Sequence, residues 1–371
     1  MKFKNKKIIL HLIPTLKGGG AEFQLTNIFT SNKVPQDIYD IHIAVRRADK
    51  NVVDNLTKKG VKIHILGDHK SNLNPFLFFK IIFLIRKTKP SIIQTWLPQM
   101  DIIGGLAALT LRVPYIFSER SSSLAYVNKP LSIFLRKVIS KKCSAIVANS
   151  NAGKSYWKSL GFKGNLFKIN NGIDFEAIKN APPLKLSILK KEKNTFDFLV
   201  VGRLAKEKQV LNIVRAFSTI KNIEYARLII IGDGPEKVAI NKLINKLNLS
   251  SSIILLGWIE DWWGILQQSK CLISCSSFEG QPNVLLEAMA SKCPTIVSDT
   301  YSHRELLDNN STSFVDPDNI ETISNQIQNV MIDYEQYLHK AQIAYNLTRK
   351  NSFSHVAQEY KGVYDYILGK K

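Results

Sequence analysis

Metal and disulfide chemistry find little material in this chain. Its 371 residues include four cysteines, Cys143, Cys271, Cys275 and Cys293, with no Cys-x-x-Cys pair and no histidine close by. Structural zinc sites and disulfide frameworks both depend on such spacings, so neither is expected. Long apolar runs are missing too. The longest, residues 75–87, falls short of the ~20 residues needed to span a bilayer. Residues 1–16 start like a secretion signal, but His11 and Pro14 interrupt the apolar stretch and Gly-Gly-Gly-Ala-Glu stands where a cleavage site would be. They read better as the first strand of a cytosolic domain. Gly232-Asp233-Gly234 lacks the third glycine of a dinucleotide fingerprint, since that position is Lys237. No repeat recurs at a solenoid period. Acidic residues are scarce, 30 against 51 Lys+Arg, which leaves a formal charge of +21.

What is present points to two α/β domains. An apolar content of 45% with 22% charged residues excludes wholesale disorder, and 371 residues exceed one ordinary core. Strand-like runs at 8–13, 39–45, 62–66, 92–96, 114–117 and 145–149 alternate with helical patterns. The rhythm resumes at 198–201, 228–231, 253–256, 272–274 and 295–298. Such alternation predicts parallel sheets wound on both faces. Pro182-Pro183 and the lysine-rich run 189–193 separate the two series. The expected division is 1–178, a linker at 179–193, 194–351, and a last helix at 352–371.

Two constellations carry chemistry. The first is Phe278-Glu279-Gly280-Gln281-Pro282-Asn283-Val284-Leu285-Leu286-Glu287, between two strand-like runs. Ligands of open α/β sheets bind where loops leave the carboxyl ends of strands. The helix beginning near Asn283 offers amides of Asn283, Val284 and Leu285 and the positive dipole end to a phosphate. Glu279 lies in the loop beside it, and Glu287, one turn inside, can accept both hydroxyls of a diol such as ribose. Together they describe a nucleotide-sugar site. The second is Val201-Gly202-Arg203-Leu204 with Lys208, at another strand-to-helix turn. A guanidinium fork and an ammonium there suit a diphosphate and could neutralise it without a metal ion.

These segments resemble the retaining GT-B glycosyltransferases of group 1, glycosyltransferase family 4. The first glycine-rich loop, Gly18-Gly19-Gly20-Ala21-Glu22, the run Val147-Ala148-Asn149-Ser150 and the run Ile169-Asn170-Asn171-Gly172-Ile173-Asp174 are also similar to that family's signatures. The likeness implies an α/β GT-B architecture: two Rossmann-like, doubly wound domains facing a cleft, with the C-terminal helix crossing back to the first domain. Tyr360, Tyr364 and Tyr366 are available to anchor that helix. It further implies that Glu279 holds the donor sugar, Arg203 and Lys208 stabilise the leaving diphosphate, Glu287 binds ribose, and Gly18 to Gly20 let the backbone approach the donor. No metal or other cofactor is expected. The chain also departs from the pattern. Family members often carry a donor-directed histidine after the strand at 114–117, and here Ser118-Glu119-Arg120 stands instead. A second histidine is missing near Gln99. Glu119 and Arg120 are therefore candidates on that side, with a surface ion pair as the plain alternative.

Charge is unevenly placed. Residues 1–178 hold 28 Lys+Arg against 10 Asp+Glu, and residues 179–371 hold 23 against 20. No nucleic-acid motif accompanies the basic half, so an anionic membrane surface is the expected partner. Residues 75–87 are apolar on every face except at Lys80. Residues 131–142 are basic and amphipathic, with Arg136, Lys137, Lys141 and Lys142 near one side. Asp316-Pro317-Asp318 is formally a DxD metal motif, but turn chemistry explains it.

The reading is a retaining, metal-independent glycosyltransferase. It would move a sugar from a nucleoside-diphosphate donor, of UDP type, to a lipid-linked or cell-surface glycan. It would work in the cytoplasm, peripheral to the inner face of the membrane. A sugar-nucleotide epimerase of the same fold would need converging acid/base groups, against which the missing histidines count. An inactive partner subunit that binds glycan or membrane would not need the set Arg203, Lys208, Glu279 and Glu287.

Overall fold

Runs of Ile, Val and Leu set the strands of the computed structural model, which is described over residues 6–30, 38–67, 75–184 and 195–369. The first sheet contains β1 (Lys7–Leu16), β2 (Tyr39–Ala48), β3 (Lys62–Ile65), β4 (Ile92–Trp96), β5 (Tyr115–Glu119), β6 (Ala145–Ala148) and β7 (Asn165–Lys168), in the order β3-β2-β1-β4-β5-β6-β7. The second contains β8 (Phe196–Val201), β9 (Ala226–Ile231), β10 (Ile253–Gly257), β11 (Cys271–Ser274), β12 (Thr295–Ser298) and β13 (Ser313–Val315), in the order β10-β9-β8-β11-β12-β13. Every paired strand in both sheets is parallel. Parallel sheets are covered on both faces, which is why a strand such as β9, buried at all six residues, is apolar except at Arg227, whose guanidinium pairs with Asp197. Strand order reverses between β1 and β4 and again between β8 and β11. Those reversals are the switch points where α/β sheets open a crevice.

Helices complete the layers. Helices Gly20–Thr30, Lys50–Lys58 and Phe353–Ile367 cover one face of the first sheet, and Pro75–Thr88, Leu97–Thr110 and Pro130–Ser140 cover the other. In the second sheet, Val210–Phe217, Lys237–Lys246 and Ile320–Ile332 pack on one face. Trp263–Leu266 and Asn283–Ala290 pack on the other.

The chain divides into two compact units, residues 1–172 with 351–371, and residues 173–350. The division expected after residue 178 thus lies six residues earlier. Ile173 and Ile178 are buried with Leu285, Leu286 and Met289 of the second unit, so hydrophobic contact assigns them there. The Pro182 carbonyl also lies against Gly264, where an added Cβ would come within 2.0 Å of it. The lysine-rich run 189–193 lies outside the described residues.

The last helix returns to the first unit. Tyr360 and Tyr364 are buried in its core, and the Tyr364 hydroxyl donates to Gln94 Oε1 at 2.6 Å. Tyr366 is more exposed and donates to Asn165 at 3.2 Å. Gly172 explains how closely the helix docks, because a Cβ there would lie 2.2 Å from the Phe353 ring.

Two sequence expectations are corrected inside the first unit. Arg136 does not face out with Lys137, Lys141 and Lys142; it is buried. Glu119 is neither a surface ion-pair partner nor open to solvent, being fully buried at the end of β5. The Arg136 guanidinium lies 2.8 Å from Glu119 and 2.9 Å from Asp101. Tyr126 and Trp157 donate to the same Glu119 carboxylate at 2.7 and 3.0 Å. Burial pushes the Asp101 carboxyl up to about 6, against the opposing pull of Arg136 and Thr95. One cation therefore serves two buried carboxyls and ties helices Leu97–Thr110 and Pro130–Ser140 to β5. Removing one partner of a buried pair strands the other charge and costs about 3–5 kcal/mol. Arg136→Met should lower unfolding free energy by about that amount in denaturant titration, and adding Glu119→Gln should recover part of the loss.

Candidate functional site

The second unit's switch point brings two loops together. After β8 the chain turns at Gly202 (φ +152°) into Arg203. Leu204 N–H donates to the Asp233 carbonyl at 2.9 Å, so this turn is held by the one following β9. That contact needs glycine. Gly232 has φ +143°, and a Cβ on it would lie 1.8 Å from the Gly202 carbonyl oxygen. The Gly232-Asp233-Gly234 segment is thus a close-approach turn supporting the Arg203 loop.

The loop after β11 meets it from the other side. Ser277 N–H donates to the Glu207 carbonyl at 2.8 Å, and Gln209 Nε2 donates to Ser277 Oγ at 2.9 Å. Lys208 Nζ donates to Glu279 Oε1, an ion pair joining the two constellations 71 residues apart. Ser276 Oγ donates to the same oxygen at 2.8 Å. Gly202, Arg203, Lys208, Ser276, Glu279 and Val284 line one cavity there. Burial disfavours the Glu279 carboxylate, but the charge and hydrogen bond of Lys208 and the Ser276 hydroxyl outweigh it and hold the group below the usual range. The site therefore carries a fixed anion and a fixed cation in contact. Arg203 is exposed and pairs with Glu207 four residues on, within reach of solvent.

Helix Asn283–Ala290 begins at Pro282, which has no side-chain cap. Its first backward hydrogen bond runs from Leu286 N–H to the Pro282 carbonyl at 3.2 Å. The amides of residues 283–285 precede it, as a helix N-terminus requires. Glu287 is buried inside the first turns. Burial raises its carboxyl to about 8, with only a hydrogen bond from Trp263 opposing. In this state it holds a proton near neutral pH.

Other positions singled out by sequence lie in the first unit or in a separate turn of the second. Gly18 (φ +83°), Gly19 and Gly20 follow β1 in the first unit. The Glu22 carboxylate lies against Gly19, where a Cβ would be 2.2 Å from its oxygen, and Thr15 donates to that carboxylate at 2.9 Å. Arg120 follows β5, donates to Asn171, and lies over the Trp96 ring at 5.2 Å. Glu119 is taken up by the Arg136 cluster. Asp316-Pro317-Asp318 forms a turn in which Asp318 N–H donates to Asp316 Oδ1 at 3.0 Å. Among the described residues no group of three His, Cys, Asp or Glu is placed to hold a metal ion. Ser276 and Gln209, which stitch the loops, were missed by sequence reasoning. Ser276 had a usable signal, three residues before Glu279 and directly after a strand.

Similarity to known proteins accords with this geometry. Residues 185–347 match the family Glycosyl transferases group 1, and residues 29–177 match Glycosyltransferase Family 4. An uncharacterized glycosyltransferase of Methanocaldococcus jannaschii is 28% identical over 260 residues, 63% of this chain and 64% of that protein. The Escherichia coli UDP-Gal:alpha-D-GlcNAc-diphosphoundecaprenol alpha-1,3-galactosyltransferase is 29% identical over 90% of each chain. The crystal structure of Anabaena HepE in complex with UDP and glucose superposes with a TM-score of 0.83 at 18% identity, covering 97% of this chain and 100% of that one.

The Glu287 carboxyl generates a test. A diol prefers the ionised form, because two hydroxyl donors stabilise a carboxylate. With its carboxyl near 8, Glu287 would release a proton below that pH if it accepted the diol of a ribonucleotide. Affinity for UDP should therefore rise with pH up to about 8 and then level off. Calorimetry in buffers of different ionisation enthalpy should show the released proton, and Glu287→Gln should abolish it. An unchanged proton count in that variant would remove Glu287 from the nucleotide site.

Proposed function

The chain belongs to the group 1, family 4-like glycosyltransferases of GT-B fold, and from that premise we propose that it transfers a sugar from a UDP-type donor to a lipid-linked glycan. Transfer proceeds with retention of anomeric configuration and without a metal ion. One observation carries the reading: Lys208 and Glu279 meet at the carboxyl ends of β8 and β11, beside a helix N-terminus. A cation for a diphosphate and a carboxylate for sugar hydroxyls stand together at the switch point.

Donor binding opens this pair. The Lys208 ammonium turns to the diphosphate, and the Glu279 oxygen accepts a sugar hydroxyl in its place. The acceptor hydroxyl then attacks the anomeric carbon from the side of the leaving group. As the bond from that carbon to the phosphate oxygen breaks, the hydroxyl proton passes to the departing diphosphate. Arg203 and Lys208 carry the charge that develops there, the role a metal would otherwise fill. The lipid-linked acceptor named for the Escherichia coli relative supports the acceptor class.

A membrane-facing surface fits such an acceptor. On helix Pro75–Thr88, Leu77, Ile81 and Ile85 face the core, while Phe76, Phe79 and Phe83 are 69%, 64% and 69% exposed. Phe78 is half-buried against the core, so the apolar outer stripe is the other three rings. Helix Pro130–Ser140 exposes Leu131, Phe134 and Val138 beside Lys137, Lys141 and Lys142. Helix Leu97–Thr110 packs against both. No described helix is long and apolar enough to cross a membrane. The protein therefore sits on the anionic inner leaflet, held by inserted aromatics and basic residues.

Incubation with labelled UDP-sugars and lipid-linked acceptor tests the chemistry. Glu279→Gln should lower transfer about a hundredfold or more yet leave UDP protection against thermal unfolding nearly intact. Arg203→Ala should weaken both, and activity should persist in EDTA. Near-normal turnover by both variants would sink the assignment.

Vesicle sedimentation tests the surface. Binding to anionic vesicles should fall in 1 M salt, where the Debye length shrinks to about 3 Å, but leave a salt-resistant fraction. Phe79→Ser with Phe83→Ser should make the remaining binding fully salt-sensitive. A wild-type protein that ignores anionic vesicles at low salt would rule the membrane surface out.

A further inference from the structure

His303 is fully buried in helix Tyr301–Arg304, just beyond β12, the neighbour of β11. Its Nδ1 lies 2.8 Å from the Ser298 carbonyl oxygen, a group that can only accept. Nδ1 must therefore carry the proton and donate. Ser298 Oγ, 3.1 Å from the same nitrogen, passes its own hydrogen to the Ser276 carbonyl at 2.5 Å. Thr300 Oγ1 stands 3.1 Å away on the same side. This tautomer leaves Nε2 as a bare lone pair, and Nε2 is buried without a hydrogen-bond partner.

A buried polar atom left without a partner costs free energy unless something completes it. His303 does not line the cavity of Lys208 and Glu279, but Ser298 joins its ring to Ser276, which does. Burial holds the imidazole below its ordinary range, and the charges of both Glu279 and Lys208 act on it. Glu279 feels His303 in return. The Ser298–Ser276 link also ties the ring to the loop that presents Glu279. Glu279 and Lys208 spend their polar capacity on each other in this state, whereas Nε2 has nothing to release.

We infer that His303 is a further donor-binding residue, whose Nε2 accepts a hydroxyl of the transferred sugar once Lys208 and Glu279 separate. The inference rests on the donor-site reading above and deepens it. Glu279 and His303 would then approach the sugar from the ends of two adjacent strands, and a site that offers only acceptors there selects for hydroxyl donors. An analogue lacking that hydroxyl leaves the lone pair buried and unmet, a strong source of discrimination.

Two substitutions separate the ring's two nitrogens. His303→Asn can keep the Nδ1-side donor but loses the Nε2 acceptor. His303→Gln can place its amide oxygen near the Nε2 position. For whichever UDP-sugar supports turnover, His303→Asn should lower kcat/KM about 10- to 100-fold while the Kd for UDP alone changes less than about twofold. His303→Gln should recover most of that loss. One monodeoxy analogue of the same UDP-sugar should cost the wild type a similar factor and cost His303→Asn nothing further. In the wild type, the 15N resonance of His303 Nε2 should shift on adding the UDP-sugar and stay put with UDP, a readout that needs no variant to fold.

The opposite ranking, His303→Asn active and His303→Gln impaired, would overturn the inference, because only the Ser298 link would then matter. Losses that simply add for every deoxy analogue, or an Nε2 resonance indifferent to the sugar, would overturn it too. In those cases Glu279→Gln remains inactive and the donor site stands. Full turnover by Glu279→Gln would sink the donor-site reading and this inference with it.

Discussion

Parallel pairing is the constraint on which the rest of this structure depends. A parallel strand cannot return by a short hairpin; it needs a crossover, and the crossover lays a helix on one face of the sheet. Both faces become interior, so the strands are buried along their length, as β9 and β12 are, and polar members such as Arg227 need a partner, here Asp197. Polar groups are driven to the ends. At the carboxyl ends, where strand order reverses, neighbouring loops diverge to opposite faces and leave room for a ligand. The loops carrying Arg203 and Glu279 follow β8 and β11, the two strands at that reversal in the second sheet.

Charge in that crevice is managed by internal pairing. Lys208 and Glu279 neutralise each other, and Glu287 avoids an unpaired buried charge by keeping its proton. Each arrangement avoids a lone buried ion, which is costly. On the proposed reading, a nucleotide sugar would reverse each, bringing an anion for the cation, hydroxyls for one carboxylate and a diol for the other.

The first unit uses charge differently. Arg136, Asp101 and Glu119 form a dry cluster under Tyr126 and Trp157, with hydrogen bonds closing around Glu119. Its role is to fix the helix layer on β5. That same layer turns phenylalanines outward on helix Pro75–Thr88. A rigid internal lock thus lies beneath an exterior that is apolar and basic.

By itself the sequence determined the two strand series, the positions of most strands and the placing of Arg203, Lys208, Glu279 and Glu287 at strand-to-helix turns. Each of these is local: an apolar run of strand length, a glycine after it, a charged residue at a fixed offset from a helix start. Short β7, with only four half-exposed or exposed residues, carried too little apolar pattern to be noticed. Tertiary structure alone decided the rest. Only folding shows that Glu119 and Arg136 turn inward, that Ile173 belongs to the second core, and that Ser298 links His303 to the loop of Glu279, 24 residues earlier. Burial and through-space charge depend on which surfaces meet, and a linear pattern records a residue's neighbours along the chain, not across the sheet.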